Sequence, residues 1–270
     1  MPIKLISTDF DGTLFAEFEN PPISVRLEGL IADLQARGAK WVINTGRDMS
    51  SLMEALARAR ISIQPDYLVL VEREIYRHDG VRYAPIETWN AACARDHAEL
   101  FARVRPAVSG LTEWVNARFR ATVYEDAYSP FCLIAGNHGE ADAIHEQLNT
   151  FCAQFPQLTV VRNDVYARFS HAAYNKGTAL GALMQRHSLA TRDVFAAGDH
   201  LNDLPMLSAE YARWLTAPQN AVEPVKEAVR RRKGFVSRFA HGEGVAEGLE
   251  RQFAAASHEQ QLSLLGSANS

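Results

Sequence analysis

The sequence has few cysteines, no long apolar run and no strongly basic stretch, and each shortage narrows the class of protein. Its three cysteines are scattered without a C-x-x-C pair, which favours reduced, buried thiols over a disulfide framework. Apolar runs such as residues 67–71 have the length of a strand, far below that of a membrane span. The first residues show no signal-peptide pattern, because Lys4 is followed by only two apolar residues. We therefore expect a cytoplasmic protein that does not act at a membrane.

Charge and length are also informative. The formal net charge is -4, and the short basic stretch at residues 230–233 is typical of a solvated helix end. We therefore expect no nucleic-acid partner. With 270 residues, 47% of them hydrophobic, the chain can form one large domain or two modest ones.

Two carboxylates follow the first predicted strand. Residues 3–8 are mainly apolar and β-branched, and Asp9 and Asp11 come directly after them. In an extended segment this spacing points both side chains to the same face, and Gly12 allows a sharp turn beside them. Ligands in open α/β sheets bind at the carboxyl ends of strands, so this pair is a candidate chemical site.

Two other interpretations of the same motif stay open at this point. Asp and Gly are ordinary turn formers, so the segment can be a simple turn. The segment also resembles the start of a calcium loop, but Thr13 and Asn20 stand where that loop needs a further oxygen ligand and a glutamate. The calcium interpretation is therefore poor.

Strands and helices alternate in the first and last thirds of the chain, which predicts a parallel sheet with right-handed crossovers. The expected strands are residues 3–8, 40–44, 67–71, 194–197 and 213–216, and the expected helices are residues 24–38, 49–60, 175–187, 222–232 and 244–253. A further helix is expected directly after Asp203. Between these parts, a hairpin over residues 74–83 leads into paired strands with intervening helices, which are expected near residues 90–108 and 140–155.

This pattern predicts an α/β fold with a Rossmann-like core, in which helices cover both faces of a parallel sheet, and a smaller inserted α+β domain. We place the core at residues 1–77 and 171–256, and the inserted domain at residues 78–170. The Ser- and Gln-rich residues 257–270 are expected to form a flexible tail.

Four short motifs lie at strand ends of the predicted core. They are Asp-Phe-Asp-Gly-Thr at residues 9–13, Asn-Thr-Gly-Arg at 44–47, Asn-Lys-Gly at 175–177, and Gly-Asp-His-Leu-Asn-Asp at 198–203. In this order they resemble the motifs of the haloacid dehalogenase-like phosphohydrolases. The insertion after the third strand resembles the type II cap of the Cof-like branch, which includes sucrose-phosphate phosphatases.

The resemblance implies a role for each motif. Asp9 would be the nucleophile that forms an aspartyl-phosphate, and Asp11 the general acid and then the general base. The phosphoryl group would be bound by Thr45, Gly46, Arg47, Lys176 and Asn202. A Mg²⁺ ion would be bound by Asp9, Asp11, Asp199 and Asp203, with Asp11 contributing its backbone carbonyl.

The charges of these residues are compatible with that chemistry. Two carboxylates about 4 Å apart repel each other by roughly 4 kcal/mol at an effective dielectric constant near 20. If Asp9, Asp11, Asp199 and Asp203 converge, they must take up protons or recruit a cation, and oxygen ligands favour Mg²⁺. The alternative for Asp199 and Asp203 is that they only cap the following helix.

Lys176 is unusual because it begins a predicted helix, where the helix dipole disfavours a cation. An anionic partner would offset that penalty, although an ordinary exposed lysine is the simpler alternative. We expect His200 to be an exposed loop residue and not a metal ligand, since Mg²⁺ prefers oxygen.

One segment departs from the pattern of the Cof-like branch. Where that branch usually has Asn-Gly-Ala after the third strand, this chain has Glu72-Arg73-Glu74. Arg73 could bind a second anionic group, but we expect an ion-paired surface loop. In the inserted domain, the candidates for substrate specificity are Arg118, Arg120, Tyr124 and Glu125.

The predicted function is a Mg²⁺-dependent phosphatase that acts on a small phosphorylated metabolite, such as a sugar phosphate or a sugar-acid phosphate. The expected partner is therefore a small phosphate ester. A phosphomutase is the main alternative, because it would share the first covalent step. A binding or regulatory module that has lost the chemistry is a more distant alternative, since all four motifs are intact.

Overall fold

The computed structural model describes residues 1–267, with side chains through residue 261. The strands are β1 (Leu5–Thr8), β2 (Lys40–Asn44), β3 (Tyr67–Leu70), β4 (Glu74–His78), β5 (Tyr83–Pro85), β6 (Ala121–Tyr124), β7 (Cys132–Ala135), β8 (Leu158–Asn163), β9 (Tyr166–His171), β10 (Val194–Ala197), β11 (Trp214–Ala217) and β12 (Phe235–Val236). The α-helices are α1 (Val25–Ala36), α2 (Met49–Ala59), α3 (Glu87–Asn116), α4 (His138–Cys152), α5 (Lys176–Arg186), α6 (Glu223–Arg231) and α7 (His241–Ser267).

The core sheet has eight strands in the order β12-β11-β10-β1-β2-β3-β4-β5. β1 is central and parallel to both neighbours, with Thr8 opposite Ile43 of β2 and Ala197 of β10. All four residues of β1 are buried, as expected for a parallel strand covered on both faces. The carboxyl ends of β1, β2 and β10 therefore meet at one edge of the sheet.

Helices cover both faces of this sheet. On one face, α1, α2 and α7 share a hydrophobic cluster with Ile6 and Trp41 of the strands. Alternate strand residues point to the other face. There Asn44 donates from its side chain to the backbone carbonyl of Lys176 at 3.0 Å, which places the start of α5 on the second face. The predicted α/β architecture is confirmed.

The sheet is not wholly parallel, because β4 and β5 extend it as antiparallel strands beside β3. Their turn follows the sequence signal, with the side chain of Asp79 accepting the N–H groups of Val81 and Arg82 at 2.9 Å each. The hairpin was predicted, but the predicted boundary at residue 78 divides it. Because both strands pair with the core sheet, the first compact unit is Met1–Ile86 with the residues from Lys176 onward, and the second is Glu87–Asn175.

The second unit has an antiparallel sheet in the order β6-β7-β9-β8. Residues such as Leu133, Ala135 and Phe169 alternate along the strands into one cluster with α3 and α4, so both helices pack on one face. Phe169 stacks on Phe131 and Phe151, with ring centroids 4.9 Å and 5.4 Å apart. The three cysteines of the chain are buried and free, as the sequence indicated.

Two helices are longer than predicted. α3 continues past Val108 to Asn116, because the buried residues Leu111 and Val115 extend its apolar face. α7 continues through the segment predicted as a flexible tail, and Glu259 pairs there with Arg213 at 2.5 Å. Residues 268–270 of that predicted tail lie outside the described residues.

The helix predicted directly after Asp203 is absent. The chain forms a single 3₁₀ turn at Leu201–Asp203 and continues as turns and bends. Pro205 lacks the backbone donor that a continuing helix needs. None of the helices in the described part of the chain combines the length and apolar character needed to cross a membrane.

Candidate active site

The acidic loop after β1 turns sharply at Gly12. The N–H group of Asp9 donates to the carbonyl of Ala197 at 2.9 Å, which continues the β1–β10 pairing by one residue. Gly12 has a φ of +78°, and a Cβ atom at this position would lie 2.5 Å from Oδ2 of Asp199. A glycine is therefore required both for the backbone conformation and for the close approach of Asp199.

Lys176 joins two of the predicted acids. It is fully buried, and its Nζ lies 2.6 Å from Oδ1 of Asp9 and 2.7 Å from Oδ1 of Asp203. Both carboxylates are themselves buried, so these hydrogen bonds are charge-assisted and poorly screened by solvent. The simpler alternative of an exposed lysine is wrong, because the dipole penalty at the start of α5 is offset by two anionic partners.

Asp203 organises the loop after β10. Its Oδ2 accepts the backbone N–H groups of Asp199 at 2.8 Å and His200 at 3.0 Å, while Oδ1 accepts from Lys176. The interpretation of Asp203 as only a helix cap is wrong, since no helix follows and one oxygen serves the lysine. Asp199 accepts from the hydroxyl of Thr13 at 2.8 Å, and His200 is half-buried instead of exposed.

The crowding of negative charge changes the protonation of these groups. Burial and then the charge of Asp203 raise the pKa of Asp9 well above its ordinary value, against the opposing effect of Lys176. Burial and the charge of Asp203 likewise raise the pKa of Asp199 to about 7. The hydrogen bond from Thr13 acts in the opposite direction at Asp199. Burial alone would lower the pKa of Lys176, but the charges of Asp203 and Asp9 raise it above its ordinary value.

Asp11 lies in a different environment from Asp9. Nε of Arg47 donates to its Oδ2 at 2.8 Å and Nη2 donates to its Oδ1 at 2.6 Å. The same guanidinium lies over the rings of Phe10 and Phe15, at 5.3 Å and 5.9 Å from the centroids. Arg47 was predicted to bind phosphate, and the structure gives it the Asp11 carboxylate as partner. A planar guanidinium matches a carboxylate in this two-point geometry.

Thr45 is buried one residue beyond the end of β2. Its Oγ1 accepts the N–H group of Arg47 at 3.1 Å, so the hydroxyl hydrogen is not used in this contact and can be donated elsewhere. Gly46 stands between these two residues, where the backbone leaves the strand. The assignment of Thr45 and Gly46 to a phosphate group stays a prediction.

The segment after β3, which the sequence marked as a departure from the family pattern, is buried. Glu72 and Arg73 are each only 5% exposed, so the expected ion-paired surface loop is wrong. Oε1 of Glu72 accepts from the side-chain amide of Asn202 at 2.8 Å. Asn202 was predicted as a phosphate ligand, and the structure places its NH₂ group against a carboxylate.

The carbonyl of Gly12 is held by two residues that the sequence analysis missed. Nδ2 of Asn220 lies 2.7 Å from this oxygen, and Nδ1 of His241 lies 3.0 Å from it. Asn220 in turn accepts the backbone N–H of His241 at 2.8 Å. The only signal in the sequence was that both residues are polar and lie near strand ends, which is too common to single them out.

The specificity candidates of the second unit have partners within that unit. Glu125 pairs with Arg105 at 2.7 Å, and the hydroxyl of Tyr124 donates to that of Tyr166 at 3.2 Å. The guanidinium of Arg118 lies 5.0 Å from the ring centroid of Trp114, and Arg120 is exposed. Their proposed role in specificity stays a prediction.

The acidic cluster fits a divalent cation. Asp9, Asp199 and Asp203 each offer a carboxylate oxygen, and these atoms lie within 4.8 Å of one another. Carboxylate oxygens are the ligands that Mg²⁺ prefers. Burial and then the negative charge of Asp203 raise the pKa values of Asp9 and Asp199, and a cation would offset that charge. Both oxygens of Asp203 already accept from protein donors, so Asp9 and Asp199 are the better placed ligands. The Asp11 side chain is not part of this cluster among the described residues.

Comparison with known proteins identifies the family. A family model described as haloacid dehalogenase-like hydrolase matches residues 116–249, and one described as sucrose-6F-phosphate phosphohydrolase matches residues 2–113. A Haemophilus influenzae protein with the name "Putative phosphatase" is 31% identical, over 94% of this chain and 99% of its own length. The chain belongs to the haloacid dehalogenase-like hydrolases. It lies in their Cof-like and sucrose-phosphatase-like branch, as the sequence motifs indicated, and is an enzyme of the phosphatase class.

Two further relatives of this haloacid dehalogenase-like hydrolase have more specific names. Phosphoglycolate phosphatase of Methanothermobacter thermautotrophicus is 32% identical over 111 residues, which span 41% of this chain and 45% of that protein. The structure of sucrose-phosphatase from Synechocystis sp. PCC6803, in complex with sucrose and phosphate, aligns with a TM-score of 0.73. That alignment covers 93% of this chain and 98% of the other at 15% identity, which shows a common fold.

Proposed function

We propose that this haloacid dehalogenase-like hydrolase removes the phosphate group from a small sugar phosphate or sugar-acid phosphate, with Mg²⁺, through an aspartyl-phosphate on Asp9. The observation that carries the proposal is the position of Lys176, which is fully buried and holds Asp9 and Asp203 at 2.6 Å and 2.7 Å. A lysine this deeply buried is rare unless it is paired, and here it fixes one oxygen of the proposed nucleophile.

The proposed chemistry has two steps. A carboxylate oxygen of Asp9 attacks phosphorus and forms an acyl phosphate, while the bond from phosphorus to the ester oxygen breaks. Asp11 gives its proton to the departing alkoxide, so the alcohol leaves neutral. Asp11 then takes a proton from a water molecule, whose oxygen attacks phosphorus and releases Asp9 and inorganic phosphate.

Lys176, Thr45 and Arg47 each have a defined task in this proposal. Lys176 orients the carboxylate of Asp9 and offsets the negative charge of the transferred phosphoryl group. The hydroxyl hydrogen of Thr45 is donated to a phosphoryl oxygen, because Oγ1 already accepts from the backbone of Arg47. Arg47 holds Asp11 and must loosen this contact, at least in part, for Asp11 to carry the proton.

A Mg²⁺ ion would be held by the carboxylates of Asp9 and Asp199 with the support of Asp203. When bound, it would offset the charge of the carboxylates and of the phosphoryl oxygens. This proposal is supported by the three carboxylate oxygens within 4.8 Å of one another and by the raised pKa of Asp199.

The substrate class rests on similarity to other proteins. The sucrose-6F-phosphate phosphohydrolase model matches residues 2–113, and two relatives are named for sucrose phosphate and phosphoglycolate. Both names describe small, soluble phosphate esters with an oxygen-rich leaving group. We propose the same class for this chain, with the second unit, Glu87–Asn175, providing the selection among its members.

The test is a phosphate-release assay over sugar phosphates, sugar-acid phosphates, phosphoglycolate and nucleotides, with Mg²⁺ or with EDTA. We expect turnover only with Mg²⁺, and its loss in Asp9→Asn, where the amide can still accept from Lys176 and the fold is kept. Asp33→Asn is the matched control, because Asp33 is exposed on α1.

Three outcomes would contradict the proposal. Most of the activity remaining in Asp9→Asn would refute the nucleophile, and undiminished activity in EDTA would refute the metal dependence. Formation of an isomeric sugar phosphate without phosphate release would identify a phosphomutase.

A further inference from the structure

The turn after β3 has an unfavourable backbone conformation. Val71 and Glu72 are consecutive non-glycine residues with φ angles of +44° and +67°. The left-handed region is costly for a side chain, and a β-branched residue such as valine rarely adopts it. Such a conformation persists only where the surrounding structure enforces it.

The surrounding structure does enforce it, through the loop that follows β2. The N–H group of Val71 donates to the carbonyl of Arg47 at 3.0 Å, and that of Glu72 donates to the carbonyl of Thr45 at 2.9 Å. The strained turn is therefore joined to the two residues that flank Gly46, in the segment proposed to bind phosphate. Its conformation directs the side chain of Glu72 into the interior, where only 5% of it is exposed.

Glu72 meets Asn202 in this interior. Oε1 of Glu72 lies 2.8 Å from Nδ2 of Asn202. Burial lowers the pKa of Lys176, the charges of Asp203 and Asp9 raise it, and the charge of Glu72 adds to theirs. A carboxylate only accepts hydrogen bonds, so it fixes which end of the neighbouring amide faces it. The NH₂ group of Asn202 must face Glu72, and the amide oxygen must point elsewhere.

That amide oxygen has no hydrogen-bond donor among the described residues, although it is buried. A buried acceptor without a donor is unfavourable, and such groups in native proteins call for an explanation. Asn202 lies directly before Asp203, whose carboxylate contacts Lys176. The orientation of this amide is fixed by Glu72, in a residue directly adjacent along the chain to a partner of Lys176.

We propose that Glu72 is a positioning residue, which holds the side chain of Asn202 so that its amide oxygen is presented as an acceptor to a hydroxyl group of the bound phosphate ester. This proposal rests on the proposed function of the same site. It replaces the role of Asn202 as a phosphate ligand, because an acceptor repels phosphoryl oxygens and binds hydroxyl groups. The strained turn at Val71–Glu72 is what places the carboxylate.

An exchange of the two groups tests the proposed orientation. Asn202→Asp puts two carboxylates against each other, so we expect kcat/KM to fall at least tenfold and the melting temperature to drop. In the double variant Glu72→Gln with Asn202→Asp, the amide of residue 72 donates to one carboxylate oxygen of residue 202. The other oxygen of that carboxylate is an acceptor that points away from residue 72. We expect this double variant to recover kcat/KM to within about threefold of the wild type, because a hydrogen bond is restored.

Two truncations separate the carboxylate from the strain of the turn. Glu72→Ala and Glu72→Gly both remove the carboxylate, and we expect an equal fall in kcat/KM of about 10- to 100-fold, the range for losing a hydrogen bond to a charged group. The glycine variant should melt at the higher temperature of the two, since glycine accepts a positive φ. Arg60→Ala and Arg60→Gly are the matched control pair. Arg60 has a φ of +53° and is exposed at the end of α2, so the same order of melting temperatures should appear without a change in activity.

The outcomes distinguish this inference from the proposed function. If the wild type releases phosphate and the double variant is no better than Asn202→Asp, or if Glu72→Ala is fully active, the positioning role of Glu72 is refuted. If the wild type releases no phosphate from any ester, the proposed function fails. The melting temperatures of the exchange variants then still decide whether Glu72 orients Asn202.

Discussion

Arg47 holds Asp11 through both carboxylate oxygens, at 2.8 Å from Nε to Oδ2 and 2.6 Å from Nη2 to Oδ1. The remaining nitrogen, Nη1, is within 3.1 Å of the hydroxyl and 3.3 Å of the carbonyl of Ser51 on α2. The guanidinium is thus fixed from two sides. The proposed acid and base, Asp11, is therefore positioned by a residue that the sequence motif had assigned to the substrate.

This relationship predicts that Arg47→Lys lowers activity, although lysine keeps the positive charge. A lysine ammonium cannot contact both oxygens of Asp11 in one plane. We expect kcat to fall by about 10- to 100-fold, corresponding to a loss of roughly 1.5–3 kcal/mol for a charge-assisted contact. Steady-state kinetics with the best substrate measure this, and Arg58→Lys, at an exposed ion pair with Glu17, is the control. If Arg47 bound phosphate instead, KM would rise while kcat stayed the same.

Removing the charge of Lys176 should abolish activity and weaken the fold. In Lys176→Met, Asp9 and Asp203 lose their shared cation in a buried site. Breaking a buried ion pair costs about 3–5 kcal/mol, and less at acid pH, where the carboxylates take up protons. Chemical denaturation at pH 5 and pH 8 measures this difference, with Lys226→Met on α6 as the control. Equal stability of Lys176→Met and wild type at pH 8 would contradict the structural role of the pair.

The raised pKa of Asp199 predicts how stability depends on pH in EDTA. Its ordinary value is 3.8 and its folded value is about 7, so the folded chain keeps a proton that the unfolded chain loses. Because the folded state binds more protons in this window, stability falls as pH rises from about 4 to 7, by at most about 4 kcal/mol. Melting temperatures in EDTA at pH 5 and pH 8 should show this fall, and Asp199→Asn should lessen it.

Mg²⁺ should have the opposite effect on the same measurement. An ion that binds ionised carboxylates stabilises the folded state, and more so at pH 8 than at pH 5. The gain in melting temperature at pH 8 should be lost in Asp199→Asn. A gain of equal size in the variant would place the ion elsewhere.

The hydrogen bonds that Asn220 and His241 make to the Gly12 carbonyl predict that loss of one of them lowers kcat while the fold is kept. Asn220→Ala removes the donor 2.7 Å from this oxygen, while Nδ1 of His241 remains 3.0 Å away. We expect kcat to fall about fivefold, in keeping with a hydrogen bond worth about 1 kcal/mol that positions the acidic loop. Asn137→Ala, which removes an exposed hydrogen bond to the backbone of Glu140 at the start of α4, is the control. An unchanged kcat would show that the acidic loop keeps its position without the hydrogen bond from Asn220.

Much of the architecture could be predicted from local sequence. Residues 3–8, 40–44 and 194–197 are short segments with apolar runs, followed by polar residues and glycine, which is the pattern of buried parallel strands with a site at their ends. The hairpin at Asp79-Gly80 could be predicted from its turn residues. The helix expected after Asp203 was wrong, because apolar spacing cannot show that the Asp203 side chain would instead close a tight turn.

The partners of individual side chains depended on long-range contacts. Arg47 and Asn202 lie in motifs that suggested phosphate, yet they contact Asp11 and Glu72, which are 36 and 130 residues away along the chain. Glu72 itself looked like a surface residue, because the sequence does not show that the backbone at Val71 and Glu72 is left-handed. The spacing of the motifs does not show which of these side chains contact each other.

The sequence by itself determined the class of fold, the family, and which acids stand at strand ends, because these properties follow from local apolar patterns and short motifs. Only the tertiary structure decided that Lys176 lies between Asp9 and Asp203, that Arg47 holds Asp11, and that Glu72 is buried. The physical reason is that hydrogen-bond partners and burial depend on how distant segments pack, and the pairing of β1 with β2 and β10 brings those segments together.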